Sequence, residues 1–454
     1  MFRISLALLF LASAAAILLI VEGSVAEESS GEAQTMSPMA FWGMRTAADL
    51  HPGMPEPRLL SFVGAPRGVT VDLSIGTIGA VARIMPFGDS ITQGVVNRDL
   101  RDTGGYRAPL WQMSLRGGGL VEFVGPEKSA LPGPQDPDHA GFGRRTLVWA
   151  EEEAPNLLAR YRPDVVLLMF GTNDSNEADA ENMLARAGTL FDRIASDSPG
   201  TLLLVADPPP IRPDAQPHER VAAMDTFRAL LPVIIRERAE QGSRIQHVSM
   251  AALGVQHVSA PPADNGLHPT PNGYCAMAAG WAAGLAQSGL STGYLPLPPI
   301  DMKGVADITG SAFNDRLVGT AGMNRLRGGR GNDVLIPNGG ADELWGGPDA
   351  DLFVFATADI GTGVSIVHDF NAEEGDRLDL SSISAAYPEP DMIVFRSTEA
   401  GTFLAVDPDG MIGEMPPVEI AWFPGASIGP DVVLEQTAVA CDPNPETQSA
   451  SLPH

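Results

Sequence analysis

The chain has 454 residues, more than one hydrophobic core usually supports, so two or more domains are expected. Apolar residues make up 44% and charged residues only 19%, with 49 glycines and 39 prolines, which argues for a turn-rich protein and against a long charged helical one. The formal net charge of −27 sets nucleic acid and anionic lipid aside as partners and raises the question whether some carboxylates hold a hard cation.

At the N-terminus, Arg3 precedes an apolar run from Ile4 to Val21, followed by the small-x-small triplet Ser24-Val25-Ala26. This is the pattern of a secretory signal, with residues 1–26 as signal peptide; the alternative is an uncleaved anchor, since the run could just span a bilayer. Residues 27–79 open polar, carry scattered Pro and Gly, and read as a linker or N-terminal extension with room for a strand or two. Two cysteines, Cys275 and Cys441, are too few for a disulfide scaffold, and their spacing says nothing about proximity.

Residues 80–290 alternate strands and helices. Val81 to Phe87, Pro163 to Phe170, Thr201 to Ala206 and Ile245 to Met250 are apolar strand candidates. Tyr106 to Leu115, Ala178 to Ala195, Glu219 to Glu240 and Asn272 to Gln287 have helical spacing. Such alternation predicts an α/β domain with a parallel sheet covered on both faces. Residues 291–305 read as a linker.

Ester hydrolysis needs a nucleophile, a base and donors for the oxyanion, and a serine at the end of a buried strand is well placed to attack. Ser90 sits there, in Gly88-Asp89-Ser90-Ile91-Thr92-Gln93-Gly94. The string resembles the first signature block of the SGNH (GDSL-like) hydrolases. Gly171-Thr172-Asn173-Asp174 and Asp264-Asn265-Gly266-Leu267-His268-Pro269 follow in the family's order, and the glycine block falls in His139 to Arg144.

The resemblance implies a flavodoxin-like sheet flanked by helices. It makes Ser90 the nucleophile and His268 the base, with the backbone of Ser90, a glycine-block N–H and the Asn173 side chain as oxyanion donors. Two departures matter. The acidic residue of the family stands three before the histidine, where this chain has Asn265; Asp264, four before, is the expected partner of His268, with Asn265 the alternative. Arg144 stands where glycine is common, so Gly143 is the expected glycine-block donor. The segments Gly104 to Trp111 and Val121 to Pro126 look like those of acetylxylan-esterase-type members, implying short acyl groups, acetyl above all, on a polysaccharide.

From Gly310 the chain falls into five nine-residue units, with Leu317, Leu326, Leu335, Leu344 and Phe353 at position 8 and Asp315, Asn324, Asp333, Asp342 and Asp351 at position 6. They resemble the RTX repeat, which implies a parallel β-roll over 306–385 that binds structural Ca²⁺ through the position-6 residues. Two units make one coil, so Asp315, Asp333 and Asp351 share one side and Asn324 and Asp342 the other; the 315/333 and 333/351 pairs are expected to be the better sites. Short alternating segments from Phe355 onward, Val364 to Val367 among them, predict antiparallel strands, with a β cap over 386–437 and a disordered tail over 438–454.

These readings predict a secreted, calcium-stabilised serine esterase acting on a small acyl ester or an acetylated polysaccharide, without nucleic-acid or membrane partners once the signal is removed. The alternatives are a non-catalytic matrix- or carbohydrate-binding protein on a decayed esterase fold, motivated by Asn265, and a lipase for longer acyl chains.

Overall fold

The computed structural model describes residues 45–46 and 58–434 apart from 97–100, 132–133, 178, 292, 298–299, 301, 390 and 411–414; the expected signal peptide, Cys441 and the tail lie outside the described residues. The chain enters through three strands, β1 (Arg58–Ser61), β2 (Val69–Asp72) and β3 (Thr77–Val81). It then builds an α/β domain from β4 (Arg83–Gly88), α1 (Ser90–Gln93), α2 (Arg107–Arg116), β5 (Asp138–Gly141), α3 (Leu147–Tyr161), β6 (Val165–Met169), α4 (Ala180–Asp197), β7 (Leu202–Ala206), α5 (His218–Glu240), β8 (Ile245–Val248) and α6 (Pro271–Gln287).

The central strands run parallel in the order β5-β4-β6-β7-β8, the flavodoxin-like arrangement. Continuous apolar strands such as Val165 to Met169 can be buried on both faces, and here they are. Ile84, Val165, Leu167 and Leu204 face α2 and α6, packing against Trp111, Met277 and Trp281. Met85, Phe87, Val166 and Leu203 face α3, α4 and α5, packing against Leu158, Phe191 and Phe227. Helix α3 is not evident from sequence spacing, because its first turns carry Glu151, Glu152 and Glu153 and Pro155 lies within it. Its start is set by Thr146, whose side chain accepts from the Trp149 N–H.

After α6 come β9 (Tyr294–Pro296), β10 (Val305–Thr309), β11 (Arg316–Val318), β12 (Arg325–Arg327), β13 (Val334–Ile336), β14 (Glu343–Trp345), β15 (Leu352–Val354), β16 (Ser365–Val367), β17 (Arg377–Asp379), β18 (Ile393–Thr398), β19 (Gly401–Val406) and β20 (Val418–Pro424). Alternate nonapeptides enter different sheets. One sheet runs β9-β3-β2-β11-β13-β15-β17; the other begins at the two-residue strand Arg45–Thr46 and continues β1-β10-β12-β14-β16-β20-β19-β18. The pairing of Leu317 with Leu335 and of Leu326 with Leu344 is parallel and 18 residues apart, one coil of a β-roll. All five position-8 side chains are at most 0% exposed, stacked in one core.

Three sequence-based expectations are corrected. Residues 58–81 are not a linker: β1 pairs in parallel with β10 and β2 with β11, so this segment forms the first coil of the roll. Residues 291–305 likewise contain β9, which pairs with β3. The segment Val364 to Val367 is not antiparallel, since β16 lies parallel to both β14 and β20. Each strand is too short to advertise its partner, and pairing is decided by the coil that precedes it. The strands β18, β19 and β20 are antiparallel, as expected.

Among the described residues the roll packs on the α/β domain through the sheet that holds β13 and β15. Val334 and Leu352 are buried in the same cluster as Trp111, Leu285 and Trp281, with Ile336 and Val354 packed against it. The outward residues of the other sheet are Arg325, Arg327, Glu343 and Trp345. Side chains alternate faces along a strand, so positions 7 and 9 of a unit point away from the roll core. In the units of Val334–Ile336 and Leu352–Val354 both positions are apolar, whereas the first unit keeps Arg316 at position 7 beside Val318 at position 9; burying each such apolar side chain contributes roughly 1.5–3 kcal/mol.

Candidate active site and calcium-binding turns

Strand β4 ends at Gly88, where a Cβ would lie 2.1 Å from Thr92 Oγ1 and 2.6 Å from the Met169 carbonyl, so only glycine lets the chain turn there. Asp89 then caps α1, its carboxylate accepting from the Ile91 N–H at 2.9 Å. Ser90 is thereby held at the carboxyl end of β4, the first strand of the α/β domain, at the point where strand order reverses, the usual place for a ligand in such a sheet. A cavity of ≈ 260 Å³ lined by Phe191, Leu203, Arg238 and Arg244 lies at the opposite, amino-terminal end of β7 and β8.

Ser90 Oγ is 3.0 Å from His268 Nε2, and His268 Nδ1 is 2.8 Å from Asp264 Oδ2. The other oxygen of Asp264 accepts from the backbone N–H groups of Leu267 at 2.9 Å and His268 at 3.2 Å. Burial pushes the Asp264 carboxyl up, but the hydrogen bonds from His268 and from those two N–H groups outweigh it and hold it below the usual carboxylate range. Asn265 is exposed, and its backbone carbonyl accepts from Gln216 Nε2 at 2.7 Å. The extra residue between acid and base is absorbed at Gly266, whose φ of 83° turns the chain so that the imidazole comes back over Asp264.

The glycine block runs along β5 into the same corner. A Cβ on Gly141 would lie 2.4 Å from the Gln93 N atom, so it is this glycine that lets β5 touch α1. Gly143 follows, exposed, with the position of a Cβ 4.0 Å from that of Ser90. The Arg145 N–H donates to the Phe142 carbonyl at 3.3 Å, closing a turn in which Arg144 has φ 65°. Such turns favour glycine at that place, and a side chain there costs roughly 1–2 kcal/mol. Asn173 Nδ2 donates to the Arg145 carbonyl at 2.9 Å, while Asp89 Oδ2 is 3.5 Å away, too far for a strong bond.

Sequence reasoning did not find Arg107. It is fully buried and donates to the Thr92, Gln93 and Pro137 carbonyls and to Ser129 Oγ, bracing the end of α1 against the loop that leads into β5. Cys275, in α6, is disulfide-bonded.

In the roll, all five position-6 residues are buried. On one side they form a ladder: Asp315 Oδ1 accepts from Val69 N at 2.6 Å, Asp333 Oδ1 from Asp315 N at 2.8 Å, and Asp351 Oδ1 from Asp333 N at 2.8 Å. Asp376 Oδ1 accepts from Asp351 N at 2.8 Å and adds a rung that the nonapeptide spacing does not reveal. On the other side Asp342 Oδ1 accepts from Asn324 N at 2.6 Å, and Asp342 N donates to Ser365 Oγ rather than to a carboxylate.

The chemistry of these turns fits a hard cation. Among the described residues, Asp333 Oδ2 and Asp351 Oδ2 are buried and accept no hydrogen bond. A Cβ on Gly328 would meet Asp333 Oδ2 at 2.1 Å and the Gly346 carbonyl at 2.6 Å, so carboxylate and carbonyl oxygens converge on one point. Asp315 differs, because Ser311 stands where Gly329 and Gly347 stand in later coils, and Ser311 Oγ donates to it at 2.9 Å. Burial pushes Asp351 up to about 9 and Asp315 and Asp342 up to about 7. Burial, together with its neighbours Asp315 and Asp351, raises Asp333 well above the usual range. Stacked buried carboxylates are unfavourable unless a cation compensates them.

A hydroxyl, an imidazole and a carboxylate aligned at the switch point of a flavodoxin-like sheet, followed by a roll of aspartate-bearing turns, define a hydrolase with an appended cation-binding domain. Residues 87–276 match the GDSL-like Lipase/Acylhydrolase family, and residues 309–344 match the RTX calcium-binding nonapeptide repeat. The chain therefore carries a GDSL/SGNH esterase domain and calcium-binding RTX repeats. A multidomain esterase of Ruminococcus flavefaciens is 28% identical over 156 residues, 30% of this chain and 19% of that protein, so the chain spans about a fifth of that relative's length. Similar solved structures include a family 3 carbohydrate esterase of Clostridium thermocellum, 28% identical over 46% of this chain and 96% of that one with a TM-score of 0.39. Another is a family 3 carbohydrate esterase from Talaromyces cellulolyticus, 21% identical over 46% and 97% with a TM-score of 0.39. Among the described residues no helix is long and apolar enough to cross a membrane.

Proposed function

We propose that the protein is a secreted serine esterase that removes short acyl groups, acetyl above all, from a polysaccharide. The observation that carries this reading is the unbroken chain from Ser90 Oγ through His268 to Asp264, with links of 3.0 and 2.8 Å. Ser90 Oγ attacks the acyl carbon while His268 Nε2 takes its proton. Asp264 holds Nδ1–H and stabilises the imidazolium that forms. The oxyanion accepts from the N–H groups of Ser90 and Gly143 and from Asn173, whose amide is anchored on the Arg145 carbonyl and turns its second N–H from Asp89 to the substrate. His268 then gives that proton to the departing sugar oxygen, releasing the sugar hydroxyl and leaving an acyl-serine, and water, activated by the same imidazole, releases the acid and frees Ser90.

The alternative of a non-catalytic binding protein drew on Asn265; the 2.8 Å approach of Asp264 to the imidazole supports the enzyme reading over it. The acetyl and polysaccharide parts rest on the likeness of Gly104 to Trp111 and Val121 to Pro126 to acetylxylan-esterase-type sequences. Secretion rests on Arg3, the apolar run and Ser24-Val25-Ala26. Ca²⁺ is structural in this reading: Asp333 and Asp351, with Asp315, Asn324 and Asp342, hold it in the turns of the roll and touch no reacting atom. The test is hydrolysis of 4-nitrophenyl acetate and of acetylated xylan by the wild type and Ser90→Ala. Loss of about 10⁴-fold or more in kcat is expected, and full activity in the variant overturns the assignment.

A further inference from the structure

Three features around Ser90 are unused by this chemistry. Arg144 and Arg145 are adjacent, exposed and placed directly after Gly143. Among the described residues neither guanidinium has a carboxylate partner, although acidic residues outnumber basic ones 56 to 29 in the chain. Arg144 also keeps a long charged side chain on a backbone of φ 65°, where glycine is unstrained.

The acids of the site do not compensate this charge. Three acids of the site are engaged elsewhere: Asp89 accepts from Ile91 N, Asp174 from Leu147 N and Arg186, and Asp264 from His268. All three carboxylates are buried. The Arg145 guanidinium lies 5.0 Å over the Trp149 ring, which Phe142 meets edge-on at 4.8 Å, so it rests on an aromatic shelf. A small neutral ester needs none of this. A polymer that carries carboxylates would be repelled by the acidic chain as a whole and held at this basic rim.

We propose that Arg144 and Arg145 select esters on an anionic glycan, one whose sugars carry carboxylates, by pairing with a carboxylate beside the esterified sugar. The inference rests on the esterase reading and adds the substrate class. Guanidinium matches carboxylate geometry with paired hydrogen bonds, which a lysine at either position would not do.

The test compares kcat/KM on acetylated polygalacturonate and on acetylated xylan for the wild type, Arg144→Gly, Arg145→Ala and the double variant, with 4-nitrophenyl acetate as reference. The wild type is expected to prefer the anionic polymer, with the preference shrinking in 0.5 M salt as screening takes over. The double variant should lower the anionic-to-neutral ratio about tenfold, mainly through KM, and each single variant about threefold. Arg144→Gly relieves a strained backbone, so it is expected to fold. An unchanged ratio in a double variant that still cleaves 4-nitrophenyl acetate overturns this inference alone. A wild type that cleaves none of the three esters overturns the esterase reading and this inference with it.

Discussion

The backbone N–H of Val69 donates to the carboxylate of Asp315 at 2.6 Å, across 246 residues of sequence. It is the first rung of the aspartate ladder, and it makes the segment before the hydrolase domain part of the roll after it. The expected consequence is that Val69→Pro damages calcium binding without removing a carboxylate. Proline deletes the N–H and leaves a buried acceptor short of one donor, at roughly 1–3 kcal/mol beyond the strand disruption itself. Val69→Ala, which keeps the N–H, is the control for lost packing. Calorimetry with and without Ca²⁺ should show a smaller calcium-induced rise in Tm for Val69→Pro than for Val69→Ala; equal rises would mean that the rung is incidental.

Calcium should also stabilise the hydrolase domain, because β13 and β15 bury Val334 and Leu352 in its core cluster. A cation bound only by the folded state adds about 2.7 kcal/mol per site at a concentration 100 times its Kd. The temperature at which esterase activity is lost is therefore expected to rise with Ca²⁺ and fall on chelation. Leu352→Ala, at roughly 2–5 kcal/mol, should lower it in both conditions. Asp351→Asn should cut the number of ions bound, counted by equilibrium dialysis, more than Asp342→Asn does. Activity loss at the same temperature with and without calcium would separate the two domains energetically.

Much of this was legible in the sequence, and the exceptions share a cause. Ser90 and Asn173 sit in short strings at strand ends and His268 in one just before α6, and the phased Leu317 to Phe353 announce the coil. The membership of residues 58–81 in the roll was not legible, because its pairing partners lie more than 200 residues away and the strands are four or five residues long. The docking face was legible in principle. Arg-Leu-Val, Val-Leu-Ile and Leu-Phe-Val alternate with Arg-Leu-Arg and Glu-Leu-Trp, an alternation with the coil's period rather than the unit's. Arg107 looked like an ordinary helical arginine, since nothing local says that its acceptors are the carbonyls at the end of α1.

Asp89 should give the protein a pH-dependent stability in the acid range. Burial pushes its carboxyl up to about 6 from an ordinary value of 3.8, with the Ile91 N–H opposing. Below pH 4 the group is protonated in both folded and unfolded chains. Between pH 4 and 6 the folded chain keeps a proton that the unfolded chain has released, so stability falls as pH rises through this window and levels above it. The drop is at most roughly 3 kcal/mol. Asp89→Asn, whose amide oxygen can still accept from Ile91 N, is expected to flatten the chemical-denaturation midpoint between pH 4 and 6. A variant with the wild-type slope would place that proton on another group.

The loop Asp264 to His268 invites the sharpest comparison, because sequence spacing and geometry point to different residues. The usual spacing indicates Asn265, whereas Asp264 Oδ2 is the oxygen 2.8 Å from the imidazole. Asp264→Asn should preserve the fold yet lower kcat by up to about 10⁴-fold, because a neutral partner neither fixes the tautomer nor stabilises the imidazolium. It should also flatten stability at acid pH. The Asp264 carboxyl sits below its ordinary range, so its contribution is present above pH 4 and is lost as pH falls through its depressed value. Asn265→Ala leaves the backbone carbonyl that Gln216 uses and should change kcat no more than about twofold, the range of an ordinary surface substitution. Kinetics on 4-nitrophenyl acetate decide the matter. If Asn265→Ala were the crippled variant and Asp264→Asn the active one, the extra residue at Gly266 would have to be accommodated in a different turn from the one described.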